Sequence, residues 1–271
     1  MQVIKADGSR QPYQEIKVIN AIRRAGIPKQ LQQQVLDHVN TKMYDQIPTS
    51  EIYHHVLEYL DASPEPFSQS KFSLKQAIMQ LGPTGYPFED FVAKILESQG
   101  YEVLVRQIML GKCVNHEVDV VATKGNKKIM IEAKFHNKLG TKSEVHVPLY
   151  VKSRFEDIKE KYHLNEAWVI TNTKATSDAI AYALCANMKI ISWSYPESEG
   201  LREWVEAAGL HPITILTSLT VAQKAILLDN HIVVCKEILE KRELLDILHV
   251  PHEQIKNILA EVTYVCNSKK L

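Results

Sequence analysis

"HEVDVVATKGNKKIMIEAKFHNK", His116 to Lys138, is the stretch on which the fold turns. Gly125 and Asn126 separate two runs rich in Val and Ile. Both residues tolerate the positive φ of a tight turn, so the stretch reads as a β-hairpin. With these two at the turn, Lys124 faces Lys127, Val121 faces Met130, Asp119 faces Glu132 and Glu117 faces Lys134. Alternation then puts Glu117, Asp119, Glu132 and Lys134 on one side of the sheet. Val118, Val120, Ile129, Ile131, Ala133 and Phe135 fall on the other side as a core stripe. Two carboxylates opposed on adjacent strands repel each other, which serves no structural purpose, and a divalent cation between them reverses the sign. The alternative is a hairpin with one solvated face, on which Glu117 and Lys134 form an ordinary cross-strand ion pair.

The flanks extend the pattern. "PFEDFVAKILESQG" before the hairpin is an amphipathic helix with Phe88, Phe91, Val92, Ile95 and Leu96 on one stripe. Strand "EVLVRQIML" follows it. After the hairpin come a helix around Val151 to Tyr162, strand "AWVITN", helix "SDAIAYALCAN" and strand "KIISWSY". The order α-β-β-β-α-β-α-β belongs to an α/β layer with a mixed sheet covered by helices.

On the N-terminal side, Met1 to about Leu81 opens with a short strand and a turn at Asp7-Gly8. Helices are expected over Glu15 to Ala25, over Ile52 to Leu60 and in "KFSLKQAIMQL". "GPTGYP", Gly82 to Pro87, with two Gly and two Pro, marks a boundary. From about Ala207 the chain reads as helical, with Thr220 and Gln223 forming a capping box. Three domains are expected, at 1–82, 83–206 and 207–271.

With 45% apolar and 24% charged residues, the chain has the composition of an ordinary globular protein. No apolar run approaches a membrane span and "MQVIKADGSR" lacks a signal-peptide pattern, so a cytoplasmic location is expected. Cys113, Cys185, Cys235 and Cys266 are scattered without paired spacing, which points to free thiols rather than zinc or disulfides. Lys plus Arg and Asp plus Glu number 32 each, which argues against a polybasic binder acting by bulk charge, though not against basic groups gathered in one cleft.

Glu89 on the leading helix, Asp119, and Glu132-Ala133-Lys134 in this element order resemble the PD-(D/E)XK nuclease superfamily, most closely its Mrr-like restriction endonuclease branch. "YPFEDFVAKILESQGYEV", "HEVDVVA", "IEAK" and "WVITNTKATSDAIAYA" carry the resemblance. It implies a Mg²⁺ (or Mn²⁺) dependent DNA endonuclease acting on double-stranded DNA. Asp119 and Glu132 would be the principal metal ligands, Glu89 a further ligand directly or through water, and Lys134 the group that orients water and offsets developing negative charge. An RNA nuclease and a nucleotide-responsive DNA-binding protein without catalysis are the alternatives. Cutting both strands in one binding event calls for two sites, so a homodimer is expected.

Over Val3 to about Leu81 the chain is similar to the ATP-cone domain of ribonucleotide reductases and their repressors, through "VIKADG", Tyr13, Lys17 with "VINAI", "TSEIYHHVL" and "FSLKQAI". The resemblance implies Lys5 and Lys17 as nucleotide-binding residues and ATP or dATP as ligand. Ala6 stands where the family carries an arginine, so weak binding or none is expected. "LTSLTVAQKAILLDNHIVVCKEIL", Leu216 to Leu239, has some likeness to helix-hairpin-helix modules but lacks their Gly-rich hairpin. It reads instead as a packing or oligomerisation segment.

Overall fold

The structure is a computed structural model and describes residues 1–63 and 67–267. The first segment is built on a small sheet of β1 (Gln2–Ile4), β2 (Arg10–Pro12) and β3 (Ile47–Pro48), ordered β2-β1-β3. Against it lie α1 (Glu15–Arg24), α2 (Lys29–Thr41) and α3 (Thr49–Asp61), which enclose a core of Val3, Ile22, Val35, Val39, Ile47 and Val56. The helix expected over "KFSLKQAIMQL" is two short ones, α4 (Ser68–Phe72) and α5 (Leu74–Met79), joined at Ser73.

The central segment starts with α6 (Tyr86–Ser98), whose apolar stripe is buried as expected. The strands β4 (Glu102–Leu110), β5 (Asn115–Lys124), β6 (Lys127–Lys134), β8 (Glu166–Thr171) and β10 (Lys189–Ile191) form one sheet in the order β10-β8-β6-β5-β4. β4, β5 and β6 run antiparallel, while β6, β8 and β10 run parallel, so the sheet is mixed as expected. α7 (His146–Tyr162) and α8 (Ser177–Cys185) cover one face, where Val121, Met130 and Val169 pack with Val147, Val151 and Ala179. A two-stranded ribbon of β7 (Lys142–Ser143) and β9 (Lys174–Ala175) lies apart from the main sheet.

The other face of the sheet is covered by α5, α6, α9 (Leu201–Ala208), α10 (Val221–Asp229), α11 (Cys235–Glu240) and α12 (His252–Cys266). A single apolar core runs from Leu74 and Ile78 through Phe91, Ile129 and Ile131 to Val262 and Val265. The Thr220–Gln223 capping box opens α10. The C-terminal apolar stripes thus face inward; Leu227, Ile238 and Ile258 are fully buried. α4 is tied to this end by Glu261, a fully buried carboxylate that accepts hydrogen bonds from Ser70, Thr217 and Ser218. Burial pushes its pKa up, but these hydrogen bonds outweigh the burial and hold it below the ordinary carboxylate value. Among the described residues no helix is long and apolar enough to cross a membrane.

Candidate active site

The turn and base of the hairpin follow the expected register, from Lys124 opposite Lys127 to Val120 opposite Ile131. The ladder stops there. Asp119 does not continue it by main-chain pairing; its Oδ2 accepts the Ala133 amide proton at 2.8 Å instead. On the other side of β5, Arg106 and Asp119 also drop out of the ladder, with Val105 still opposite Val120 and Gln107 opposite Val118. Arg106 has φ of 52°, the left-handed region that a bulky residue rarely occupies.

Both strands roll at this point, and the strict alternation expected from the sequence fails. Val118 joins Met109, Val121 and Met130 in the core under α7, whereas Val120 and Val105 belong to the opposite core. The alternative of a fully solvated face does not hold either. Val121 and Met130, on the side of Asp119 and Glu132, are each 1% exposed beneath α7. The carboxylates gather at the open end of the hairpin, where the roll re-aims Asp119, much as a bulge re-aims a side chain.

Glu132 is buried, and two residues of α7 bind it: the Tyr150 hydroxyl donates to Oε1, and Arg154 Nη1 donates to Oε2 at 2.8 Å. Arg154 also donates to the Glu117 carbonyl, which joins α7 to both strands of the hairpin. Among the described residues Asp119 has no such counter-ion in contact. Its burial, and after that the nearby Glu132 charge, pushes its pKa up to about 7. Glu89, also buried, is engaged by Arg106 at 3.3 Å, and burial pushes its pKa up too. Arg106 reaches Asp90 at 2.8 Å, and Asp90 meets His231 of the C-terminal segment at 2.8 Å.

Lys134 is half-buried two residues along β6 from Glu132, beside Thr171 of β8. It has no ion-pair partner among the described residues, so the alternative pairing with Glu117 is not formed. It lies close enough to His136 to add to the burial that lowers the pKa of that imidazole. Asp119 thus feels the charges of both Glu132 and, more weakly, Glu89, but the three carboxylates do not form one ligand cluster. Lys5 and Lys17 line a separate cleft.

Tyr150, Arg154, Arg106 and Asp90 were not singled out from sequence. Tyr150 and Arg154 are four apart on α7, a spacing that puts both on one helix face. The helix was expected to begin near Val151, one residue too late to include Tyr150. The helix starts at His146, and Pro148 is tolerated because it sits in the first turn, where no intrahelical N–H is needed.

Among the described residues no group of three His, Cys, Asp or Glu side chains is close enough to hold a metal. Magnesium does not require one, since it keeps several waters and is commonly bound by one or two carboxylates with substrate phosphate. Asp119 and Glu132 offer two hard oxygen donors, and the burial that chiefly lifts the Asp119 pKa, with the Glu132 charge after it, is what a bound cation offsets. The residues present fit such an ion.

A mixed sheet flanked by helices, with paired Asp and Glu at the open end of a hairpin and Lys two residues on, defines a protein of the restriction-endonuclease-like class. Residues 82–197 match the family model described as restriction endonuclease, of the Mrr catalytic type, residues 1–67 match the ATP cone domain, and residues 211–266 match the AF1548-like C-terminal model. An uncharacterised protein of Archaeoglobus fulgidus is 42% identical over 125 residues, spanning 46% of this chain and 71% of the relative. The crystal structure of AF1548, a protein of unknown function, is similar with a TM-score of 0.60 and 32% identity, covering 69% of this chain and 100% of that one. The chain belongs to the AF1548-like family, with a restriction endonuclease domain of the Mrr catalytic type over residues 82–197 and an ATP-cone domain over residues 1–67.

Proposed function

We propose that the chain is a metal-dependent DNA endonuclease of three units, 1–82, 83–206 and 207–271, with cutting assigned to the second and nucleotide binding to the first. The observation that carries this reading is the buried Asp119–Glu132 pair, one carboxylate uncompensated, with an unpaired Lys134 beside it. A magnesium or manganese ion held by Asp119 and Glu132 would supply Lewis-acid polarisation of the phosphate and a water of lowered pKa. Lys134 places a mobile positive charge on the same side, suited to orient the attacking water and to balance the negative charge that grows on the phosphate oxygens. Arg154 and Tyr150 fix the Glu132 carboxylate from both oxygens, so it enters the reaction already oriented. Glu89, paired with Arg106, adds its charge to the field at Asp119.

The direct test is incubation of the purified chain with Mg²⁺ and linear, circular, single-stranded and branched DNA, with RNA as comparison. Metal-dependent cutting of duplex DNA is the expected result. No cutting of any substrate across a range of Mg²⁺ and Mn²⁺ would sink the proposal, and cutting confined to RNA would change the substrate.

A two-fold pair of chains belongs to the same proposal. β4 is an edge strand of nine residues, and Leu104 and Ile108 on it are 60% and 68% exposed. An open edge with apolar side chains is a surface for pairing with another chain. Light scattering of the full chain with DNA should give twice the chain mass, and Ile108→Lys should return it to the monomer. A monomeric parent with DNA bound contradicts this.

A further inference from the structure

A cleft of about 670 Å³ lies between the N-terminal segment and the β7–β9 ribbon with its leading loop. Its charged lining residues are Lys5, Lys17, Lys75, Lys142, Lys174 and Asp7, five cations against one anion in a chain whose charges otherwise balance. Lys142 and Lys174 are directly opposite each other on the β7–β9 ribbon. Like charges at opposed positions destabilise a strand pair, so an isolated ribbon gains nothing from this choice. Asp7 reaches Lys142 at 3.3 Å, but Lys174 has no ion-pair partner among the described residues. Burial, and after it the neighbouring lysines, depress the pKa of both Lys5 and Lys75. The first turn of α3, Thr49 and Ser50, lines the same cleft, and no side chain caps that helix end.

A second cavity of about 240 Å³ adjoins the first and shares Lys5, Gln11, Lys17, Thr49 and Tyr53 with it. It is lined mainly by apolar groups, with Tyr13, Tyr53 and Phe72 supplying aromatic surface. Tyr53 stacks on Phe72 at 5.2 Å, and its hydroxyl is buried without a hydrogen-bond partner. A lysine-lined chamber opening into an aromatic one matches a ligand with a polyanionic tail and a flat ring.

We infer that the nucleotide pocket of the N-terminal segment is completed from outside it, with Lys142 and Lys174 of the β7–β9 ribbon joining Lys5 and Lys17 on the phosphates of a nucleoside polyphosphate whose ring enters the aromatic chamber, so that the bound ligand clamps the N-terminal segment onto that ribbon. Lys75, Lys142 and Lys174 lie outside residues 1–67, the span that matches the ATP cone. The central segment therefore supplies two of the five lysines, Lys142 and Lys174. Gly140 makes the junction close. A Cβ there would stand 2.7 Å from the Ala6 carbonyl, and its φ of 85° favours glycine on separate grounds. The loop carrying Lys142 can therefore lie against the turn carrying Ala6. The positive charge that Ala6 lacks is brought by the neighbouring segment, and not by Arg10 or Arg23, which do not line the cleft.

The inference rests on reading the N-terminal segment as a nucleotide-binding module and is independent of the cutting chemistry. Calorimetric titration of the full chain with ATP tests it, in the parent and in the Lys142→Gln/Lys174→Gln double variant. The parent should bind, and the variant should bind at least about tenfold more weakly, since each charge-assisted phosphate contact is strong. If the double variant does not fold, Lys174→Gln alone removes the unpaired lysine and carries the same comparison. Inorganic tripolyphosphate should compete with ATP, and ATP should protect the backbone of residues 139–142 from hydrogen exchange. A parent that does not bind ATP, or a folded variant with unchanged affinity, overturns the site, and binding without protection of 139–142 overturns the clamp. A short duplex DNA that displaces ATP and is lost with the same lysines would assign the cleft to nucleic acid and overturn the nucleotide reading. Cutting assays without nucleotide keep the two readings apart, because none of the five lysines is bonded to Asp119, Glu132 or Lys134 and basal cleavage should survive these variants.

Discussion

Glu132→Ala and Lys134→Ala should each reduce metal-dependent DNA cleavage by at least about 10²–10³-fold, the usual consequence of removing a group that stabilises charge in the transition state. The two losses have different physical origins. Glu132→Ala removes a carboxylate donor and also leaves the Tyr150 hydroxyl and the Arg154 guanidinium facing a void. Glu132→Gln is the better control, since its amide oxygen can still accept from Tyr150 or Arg154 while the charge is lost. Lys134→Ala removes no partner from any ion pair, so the fold should be unaffected and the loss should appear in kcat rather than in melting temperature. Single-turnover cleavage with saturating DNA separates these effects. Undiminished rates in Glu132→Ala under matched conditions would falsify the assignment of the site.

The second large effect is expected in the dependence of stability on pH and metal. Burial and the Glu132 charge raise the Asp119 pKa from 3.8 to about 7, so between those values the folded chain holds a proton that the unfolded chain has released. The stabilisation from that proton is complete below about pH 4 and is lost as pH rises through about 7. Across this interval each pH unit costs about 1.4 kcal/mol, for a total of no more than about 4 kcal/mol. Asp119→Asn keeps an oxygen to accept the Ala133 amide and has no charge to desolvate. In EDTA the variant should therefore match the parent near pH 4 and become the more stable of the two toward pH 8. Mg²⁺ should reverse the order at pH 8 by stabilising the parent in proportion to its excess over Kd, while the variant responds little. Urea melts at pH 4, 6 and 8, with and without Mg²⁺, are sufficient. A parent that ignores both pH and Mg²⁺ in this range would show that the two carboxylates are ordinary surface groups.

Much of this arrangement was legible in the amino-acid sequence, for identifiable reasons. The Gly125-Asn126 turn set the hairpin register as far as Val120 opposite Ile131, but the main-chain pairing of Asp119 with Glu132 expected from counting outward does not form, and Asp119 instead accepts the Ala133 amide proton. The stripe of α6 and the capping box of α10 carried strong local signals. α2 was not foreseen, although Leu31, Val35, Leu36 and Val39 have helical spacing. Its start is Pro28, with no capping side chain, and glutamines dilute its stripe. The break in alternation at Asp119 was illegible because it depends on Arg106, a residue of another strand in a rare backbone conformation. Tyr150 and Arg154 come from a helix beyond the hairpin, and their aim at Glu132 is set by the packing of Val147 and Val151 on the sheet. The lysine cleft was equally hidden, since net charge averages away a local excess drawn from both segments.

The unbroken core from Leu74 to Val265 bears on how such a protein can change over generations. Chains of this kind diversify by recombination where segments meet through polar, replaceable surfaces. Here the seam at Gly82 and the one near Ala207 are crossed by fully buried side chains, with Ile78 and Leu81 on one side and Ile258 and Val262 on the other packed into the same interior as Phe91 and Ile131. A foreign C-terminal segment spliced onto this sheet would have to reproduce that packing, and would also have to return a partner to Asp90, two contacts from Glu89. The C-terminal helices and the cutting site are thus bound to a common inheritance, and drift in one is constrained by the shape and charge of the other.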